Sequence, residues 1–354
     1  MLSIDSVIVS GGKPAYRFSN ADGKTWLVPR KNLSTALQLY QPSGVKGKML
    51  KALFPSLHWL KPVRGVLHAS CESVGLRPDI CSALIDALGR NELEFSIFGG
   101  TPSVHQKITV QIFNKRKILG YCKLTDSDAI RDLFIHEKAL LDDLQAAGIE
   151  NIPRCLACLT LADGTSVFIQ STVKTARSFS PYRWTPLHEE FLTRMSERTL
   201  TTLKFDHSDF GRSLLALKEN LHRFPQELLQ TIHRSLSIVL EQNIGHQVKY
   251  SAFHADFTPW NMLIENGQLF VFDWEYGRMT YPPMLDRYHF FTQQALHVAH
   301  LSPEQLYAWF VNREYEMYLL DIISRFTLRE EGVLPSSLIG MLHNWCGLLA
   351  FVAE

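Results

Sequence analysis

The stretch of sequence that decides the fold spans residues 254–275 and reads HADFTPWNMLIENGQLFVFDWE. Its first eight residues have the form H-x-D-x-x-x-x-N, in which His254, Asp256 and Asn261 are the named residues. Asp273 follows an apolar run near the end of the stretch. Phosphoryl transfer needs these residue types. One carboxylate accepts the proton of an attacking hydroxyl, while an amide and a second carboxylate hold Mg²⁺ on the nucleotide phosphates.

The segment between Asn261 and Asp273 predicts that these two residues come together. Two short apolar runs, 262–264 and 269–272, flank the dipeptide Asn266-Gly267, which strongly favours a β-hairpin. A hairpin folds the chain back on itself, so both residues should lie at its open end. Mg²⁺ prefers hard oxygen ligands and completes its shell with waters and phosphates. The pattern therefore predicts a magnesium site beside a candidate base.

The chain upstream has the order of elements expected of a small antiparallel sheet. Strand signals at 95–98, 107–113 and 118–124 are separated by polar or glycine-containing turns, and a helix is predicted from about residue 127 to 147. The third strand contains Lys123. A site for phosphoryl transfer needs such a lysine and a helix whose glutamate orients it.

Glu137 is the glutamate that the predicted helix offers. It follows Ile130, Leu133 and Phe134 by seven, four and three positions, so it shares their apolar face. An acid on an apolar face needs a partner, and Lys123 on the preceding strand is the candidate. The alternative is that the lysine is exposed and the glutamate lies at the rim of the helix.

The turn after the first of these strands is a weaker signal. Gly99 and Gly100 permit close approach of the backbone to phosphate, and Ser103 could add a donor. The turn does not follow G-x-G-x-x-G, and an ordinary hairpin turn is the alternative.

Residues 254–275 resemble the catalytic and metal-binding loops of the aminoglycoside phosphotransferase and choline kinase-like family, which is similar to protein kinases in fold. The resemblance implies an α+β, two-lobed protein kinase-like fold, with a small antiparallel-sheet N-lobe and a mainly helical C-lobe. It implies ATP and Mg²⁺ as cofactors. In that family the corresponding residues are a catalytic base (Asp256), a supporting residue of the catalytic loop (His254), Mg²⁺ ligands (Asn261, Asp273), a phosphate-positioning pair (Lys123, Glu137) and a brace (Asp286). Residues before Asp286 depart from the family's usual Gly-Asp-Pro run.

The predicted domain organisation has three parts. Residues 1–94 form an N-terminal extension of uncertain role, which could extend the small lobe, bind a partner or cap the substrate cleft. Residues 95–172 form the nucleotide-binding N-lobe, and residues 173–354 form the helical C-lobe. Acids of the C-lobe that could hold the acceptor are Glu189, Glu190, Asp206 and Asp209. The alternative is that they are ordinary surface acids.

Composition narrows the class of protein further. Lysines and arginines number 36 against 35 acids, a formal net charge of +1, and no run of the sequence is basic enough to indicate nucleic-acid binding. Six cysteines in 354 residues indicate free thiols in a reducing compartment. The chain shows neither a signal-peptide pattern nor an apolar run of membrane-spanning length. We therefore expect a cytoplasmic protein with a small-molecule partner.

These signals together predict a small-molecule kinase that moves the γ-phosphate of ATP to a hydroxyl of a sugar, an aminoglycoside-like compound or an amino-alcohol. A protein kinase would need an Ala-Pro-Glu-like anchor after Asp273, and none is evident. A catalytically silent binding or scaffold protein usually lacks one of the key residues, yet Lys123, Asp256 and Asn261 are all present. The sequence leaves open the acceptor, ATP or GTP preference, and the oligomeric state.

Overall fold

The computed structural model describes residues 2–20, 22–42, 44–66, 68–101, 106–302, 305, 313–330 and 332–352. The chain forms two compact units. The first contains residues 1–142, 152–179 and 264–270, and the second contains residues 143–151, 180–263 and 271–354. Each unit has its own apolar core.

The first unit is built on an eight-stranded sheet with strand order β3-β1-β2-β4-β5-β6-β8-β7. All neighbouring strands are antiparallel. The strands are β1 Ile8–Ser19, β2 Thr25–Pro29, β3 Ser70–Leu76, β4 Glu94–Phe98, β5 Ile108–Asn114, β6 Lys117–Thr125, β7 Cys155–Thr160 and β8 Ser166–Ser171. The helices in this part of the chain are α1 Ile4–Val7, α2 Leu33–Ala36, α3 Val45–Leu57, α4 Lys61–Val66, α5 Pro78–Leu88 and α6 Asp128–Ala146.

The strands of residues 1–94 belong to the same sheet as the predicted nucleotide-binding strands. Trp26 and Leu27 of β2 pair with Phe98 and Ile97 of β4, so β4 is an inner strand. The sequence alone did not determine where this segment would pack, because its partner strand lies about 70 residues away.

Apolar side chains cover both faces of this sheet. On one face, Ile97 and Val110 pack with Ile80 and Leu84 of α5. On the other, aromatic residues that include Tyr16, Trp26, Phe54 and Phe113 form a second cluster. Successive side chains of a strand point to opposite faces, so a sheet covered on both sides buries nearly continuous runs such as residues 108–113.

The second unit is mainly helical and carries a short three-stranded sheet. Its helices are α7 Pro186–Arg198, α8 Asp209–Glu219, α9 Gln226–Asn243, α10 Leu285–His297, α11 Arg313–Arg329 and α12 Ser336–Val352. Its strands are β9 Thr201–Lys204, β10 Gln247–Phe253 and β13 Arg278–Tyr281. The hairpin strands β11 Met262–Glu265 and β12 Gln268–Val271 form a separate two-stranded sheet, of which residues 264–270 belong to the first unit. Strand β10 pairs with both β13 and β9. Apolar residues of α8, α9, α11 and α12 form the core beneath it.

Helix α8 begins at a tightly packed turn that admits only glycine. The Ser208 hydroxyl donates to the Phe205 carbonyl at 2.6 Å and accepts from the Gly211 N–H at 2.9 Å. A Cβ atom on Gly211 would lie 1.9 Å from that carbonyl oxygen. The turn holds the helix start against the core.

We expect Gly211→Ala to destabilise the protein by about 1–3 kcal/mol or more, because the added methyl must displace backbone rather than a flexible side chain. Gly340→Ala in α12 is the matched control, since its Cβ would meet no atom within 4 Å. Alanine favours a helix over glycine by up to about 1 kcal/mol, so the control should be neutral or stabilised. Denaturant unfolding of both variants checks this, and equal stability of the two would contradict it.

Candidate active site

The loop after β10 turns through a strained residue that is held from two sides. Ala255 has φ 70°, in the left-handed region, which costs a non-glycine residue about 1 kcal/mol or more. Asp286 accepts hydrogen bonds from the N–H groups of His254 and Ala255, at 2.7 and 3.1 Å. On the other side, the Arg325 guanidinium donates to the Ala255 carbonyl at 2.9 Å. The loop conformation therefore depends on α10 and α11.

Asp286 lies at the start of α10 and is 1 % exposed. Burial raises the pKa of its carboxyl to about 7, and the two backbone donors oppose that rise. The contacts expected of a brace for this loop are present. Arg325 is itself oriented by Asp321, one helical turn earlier, at 2.7 Å.

The His254 ring joins the loop to the chain beyond the hairpin. Its Nδ1 accepts from the Asp256 N–H at 3.2 Å, so Nε2 carries the proton and donates to the Phe272 carbonyl at 3.0 Å. Burial lowers the pKa of the imidazole to about 4, which leaves the ring neutral near pH 7. The ring also packs 4.4 Å from that of Trp274. His254 therefore acts on the shape of the loop.

The Asp256 carboxylate receives one hydrogen bond on each oxygen. The Asn261 amide donates to Oδ2 at 2.7 Å, and the His289 ring nitrogen Nε2 lies 3.2 Å from Oδ1. Burial disfavours the charged form, but the hydrogen bond from His289 and the electrostatic influence of the His289 and His254 rings outweigh it, so the pKa of Asp256 lies below its usual value. With 37 % of its side chain exposed, an ionised Asp256 remains accessible to a hydroxyl.

The predicted hairpin is confirmed. Asn266 and Gly267 both have positive φ, 50° and 75°, as the type I′ turn between β11 and β12 requires. At the open end, the Phe272 N–H donates to the Asn261 carbonyl at 2.9 Å. Asn261 and Asp273 are thus on adjacent chain segments, and Asp273 takes a left-handed φ of 70°.

Asn261 and Asp273 offer the oxygen atoms that a hard cation prefers. The amide nitrogen of Asn261 donates to the Asp256 backbone carbonyl and carboxylate. Its Oδ1 has no hydrogen-bond partner among the described residues. The donor set therefore fits Mg²⁺: one amide can orient the base with its nitrogen and bind metal with its oxygen.

The ion pair predicted in the first unit is present. Lys123 Nζ lies 2.7 and 3.0 Å from the two carboxylate oxygens of Glu137. The glutamate is fully buried and the lysine side chain is 6 % exposed. The lysine ammonium also lies 5.5 Å from the centre of the Phe168 ring. Strand β6 and helix α6 thus place the charges as the apolar periodicity of the helix predicted.

The glycine turn after β4 is partly engaged in the sheet. The Gly99 N–H donates to the Thr25 carbonyl at 2.9 Å, and its own carbonyl accepts from Gln106 at 2.6 Å. Gly100 has φ 83°, and a Cβ there would lie 2.5 Å from the Lys107 carbonyl oxygen. Ser103, predicted to contribute a donor, lies outside the described residues.

One acid considered for the acceptor has a different partner. Asp209 Oδ2 accepts from the Thr280 hydroxyl at 2.6 Å and from its N–H at 3.2 Å, which ties α8 to β13. Its other oxygen pairs with Arg212 at 2.7 Å. These contacts give Asp209 a structural role in the packing of α8 on β13.

Two residues of this site were missed at the level of sequence. His289 follows Asp286 by three positions on α10, so the shared helical face was a signal that could have been read. Arg325 reaches Ala255 from 70 residues away, and no local pattern marks such a contact.

The fold matches solved structures, although neither a protein-family profile nor a curated protein matches the sequence. One is a thermostable mutant of aminoglycoside phosphotransferase APH(4)-Ia in ternary complex with ADP and hygromycin B. Its TM-score is 0.53 at 12 % identity, over 78 % of this chain and 99 % of that chain. The apo form of a thermostable mutant of aminoglycoside phosphotransferase APH(4)-Ia has a TM-score of 0.51 at 12 % identity, over 77 % of this chain and 97 % of that chain. A thermostable mutant of the same phosphotransferase in ternary complex with AMP-PNP and hygromycin B has a TM-score of 0.51 at 12 % identity, over 78 % of this chain and 98 % of that chain.

These similarities confirm the predicted fold class. The chain has the protein kinase-like fold of aminoglycoside phosphotransferases, with an antiparallel sheet in one unit and a mainly helical second unit. Among the described residues, no helix combines the length and apolar character needed to cross a membrane.

Replacing Asp286 should destabilise the fold. Asp286→Ala leaves the N–H groups of His254 and Ala255 without their acceptor, at a cost of about 1–3 kcal/mol for each buried donor. Denaturant unfolding monitored by tryptophan fluorescence measures the loss. The control is Arg287→Ala, an exposed neighbour, for which we expect a change within about 0.5 kcal/mol. Similar stability of the two variants would show that Asp286 does not hold the loop.

Proposed function

We propose that this protein is an ATP-dependent, Mg²⁺-requiring phosphotransferase that acts on a hydroxyl of a small molecule. The observation that carries the proposal is the carboxylate of Asp256. It is oriented through both oxygens, favours its ionised form and stays accessible. It also lies on a loop directly tied to the segment that carries Asp273.

Each candidate residue has a role in this proposal. Asp256 would orient the acceptor hydroxyl and take its proton as the oxygen attacks the γ-phosphorus, while ADP leaves. Asn261 and Asp273 would hold Mg²⁺, which supplies positive charge at the phosphate oxygens when it is bound. Lys123, fixed by Glu137, would bind phosphate oxygens. The glycine turn after β4, which contains Gly99, Gly100 and Ser103, would lie near the phosphates. The catalytic loop would be supported by His254 and Asp286.

For the acceptor, we propose a sugar or a related hydroxylated metabolite. Structures of the same fold hold ADP with hygromycin B, which supports a small-molecule acceptor. The formal net charge of +1 gives no broad negative field for a strongly cationic antibiotic.

The six cysteines are free thiols, which supports the expectation of a reducing, cytoplasmic environment.

The direct test is turnover of ATP with Mg²⁺ over a panel of sugars, amino-alcohols and aminoglycosides. Phosphorylated product is identified by mass, and one acceptor should give product at a rate well above ATP hydrolysis alone. ATP binding without transfer to any member of a broad panel would instead support a catalytically silent binding protein.

Asp256→Asn should lower kcat by about 10²–10⁴-fold, as expected for loss of a general base. The affinity for Mg²⁺-ATP should change little, because the amide keeps the size of the side chain and does not contact the nucleotide in this proposal. Steady-state kinetics and nucleotide titration separate the two effects. Near-normal turnover would mean that Asp256 has only a structural role.

Asp273→Ala should abolish Mg²⁺-dependent ATP binding or turnover and leave the protein folded, because it removes one of two proposed metal ligands. Calorimetric titration with ATP, with and without Mg²⁺, measures the effect. Asp132→Ala is the matched control, since it removes one carboxylate from an exposed position on α6. Unchanged Mg²⁺-ATP affinity and turnover in the Asp273 variant would rule out its role as a ligand.

A further inference from the structure

Besides the hydrogen bond from Asn261, a second series of hydrogen bonds leads to the candidate base Asp256, through His289 and Tyr318. The family resemblance did not predict these contacts. His289 is on α10, three residues after Asp286, and is 2 % exposed. Its Nε2 lies 3.2 Å from Asp256 Oδ1, and its Nδ1 lies 3.2 Å from the Tyr318 hydroxyl. Tyr318 is on α11 and is fully buried. Two helices thus contribute to the position of one carboxylate.

The proton positions in this series of hydrogen bonds follow from its partners. A carboxylate only accepts hydrogen bonds, so the nitrogen facing Asp256 must carry hydrogen. Burial lowers the pKa of His289, and its contact with Asp256 opposes that shift. Burial likewise keeps Tyr318 a phenol, with a pKa well above its usual value. A neutral His289 then accepts the Tyr318 O–H at Nδ1 and donates from Nε2 to Asp256.

The two donors to Asp256 come from different parts of the unit. Asn261 donates to Oδ2 from the short 3₁₀ helix Pro259–Asn261 that precedes β11, and His289 donates to Oδ1 from α10. One donor alone permits the carboxylate to rotate about the bond to its Cβ atom. Two donors on opposite oxygens fix its plane. Each oxygen keeps a lone pair for other hydrogen bonds, so an acceptor hydroxyl can still bind.

We propose that His289 is a positioning residue, which acts through Asp256 by fixing the plane of its carboxylate for the acceptor hydroxyl. This inference rests on the proposed function for its effect on turnover, whereas the orientation itself can be observed without activity. The Asp256 carboxylate sets the tautomer of His289, and the Tyr318 hydroxyl donates to the remaining acceptor nitrogen, Nδ1. A base displaced by about 1 Å can lose about 100-fold in rate.

The test compares two replacements of His289 in the full chain. His289→Phe keeps an aromatic ring of similar shape and removes both hydrogen bonds. His289→Gln restores one N–H donor near the position of Nε2. We expect the phenylalanine variant to lose about 10- to 100-fold in kcat with KM for Mg²⁺-ATP unchanged, and the glutamine variant to recover most of that loss.

His188→Phe is the matched control. His188 is also a fully buried histidine of the second unit, and its Nδ1 bonds to the neighbouring Thr185. Loss of a buried imidazole there should alter stability and leave kcat nearly unchanged, because His188 hydrogen-bonds to Thr185 rather than to Asp256. Unfolding curves of all variants show how much of each effect is stability.

A double-mutant cycle with Asp256→Asn separates positioning from a general structural role. If His289 acts through Asp256, His289→Phe should add almost no loss of kcat once Asp256 has been replaced. A full, additive loss in that background would overturn the proposal. So would a folded His289→Phe variant whose kcat equals that of the His188→Phe control.

Crystal structures of the wild type and of His289→Phe give a readout that does not need turnover. We expect the Asp256 carboxylate to rotate in the variant and to keep its wild-type plane in His289→Gln. An unchanged plane in His289→Phe would overturn the proposal. A rotated plane, together with no phosphotransfer by the wild type, would overturn the proposed function and support the positioning role.

Discussion

The backbone of Ala255 is the constraint on which the candidate site depends. Its left-handed conformation turns the chain after β10 so that Asp256 faces Asn261 and His289. Such a conformation persists only when surrounding contacts over-determine it. Here the N–H is bound by Asp286 and the carbonyl by Arg325. Two helices outside the loop, α10 and α11, therefore stabilise the strained backbone conformation of Ala255.

The buried groups around this loop combine neutral donors with an ionised acceptor. Burial lowers the pKa of both His254 and His289, so each ring can donate and accept without bringing a charge into the core. Asp256 favours its charged form because hydrogen bonds from His289 and Asn261 compensate part of its lost hydration. A carboxylate prepared in this way can accept a proton without first rearranging its surroundings.

The ion pair of the first unit has a different energetic character. Lys123 and Glu137 are almost completely buried, and the loss of hydration of two such charges can cancel their attraction. Replacement by apolar residues of similar volume is often neutral or stabilising in such cases. We therefore infer that the pair is retained for the position of the lysine ammonium, which a flexible surface lysine would not hold.

Local spacing in the sequence determined the hairpin and the ion pair. Asn266 and Gly267 were enough to predict that Asn261 and Asp273 come together, because the turn alone sets that geometry. Helical periodicity was likewise enough to place Glu137 on the inward face of α6. The fold class followed from these elements and from the resemblance that they carry.

Contacts between distant segments were decided only by the tertiary structure. His289 meets Asp256 across 33 residues, and Arg325 meets Ala255 across 70. The strands of residues 1–94 join the large sheet through the pairing of β2 with β4. No short-range pattern encodes which surfaces meet, because that choice depends on the packing of whole helices and strands against a common core. Local patterns in the sequence therefore identified the candidate base and the candidate metal ligands, whereas the packing of α10 and α11 determined how the base is held.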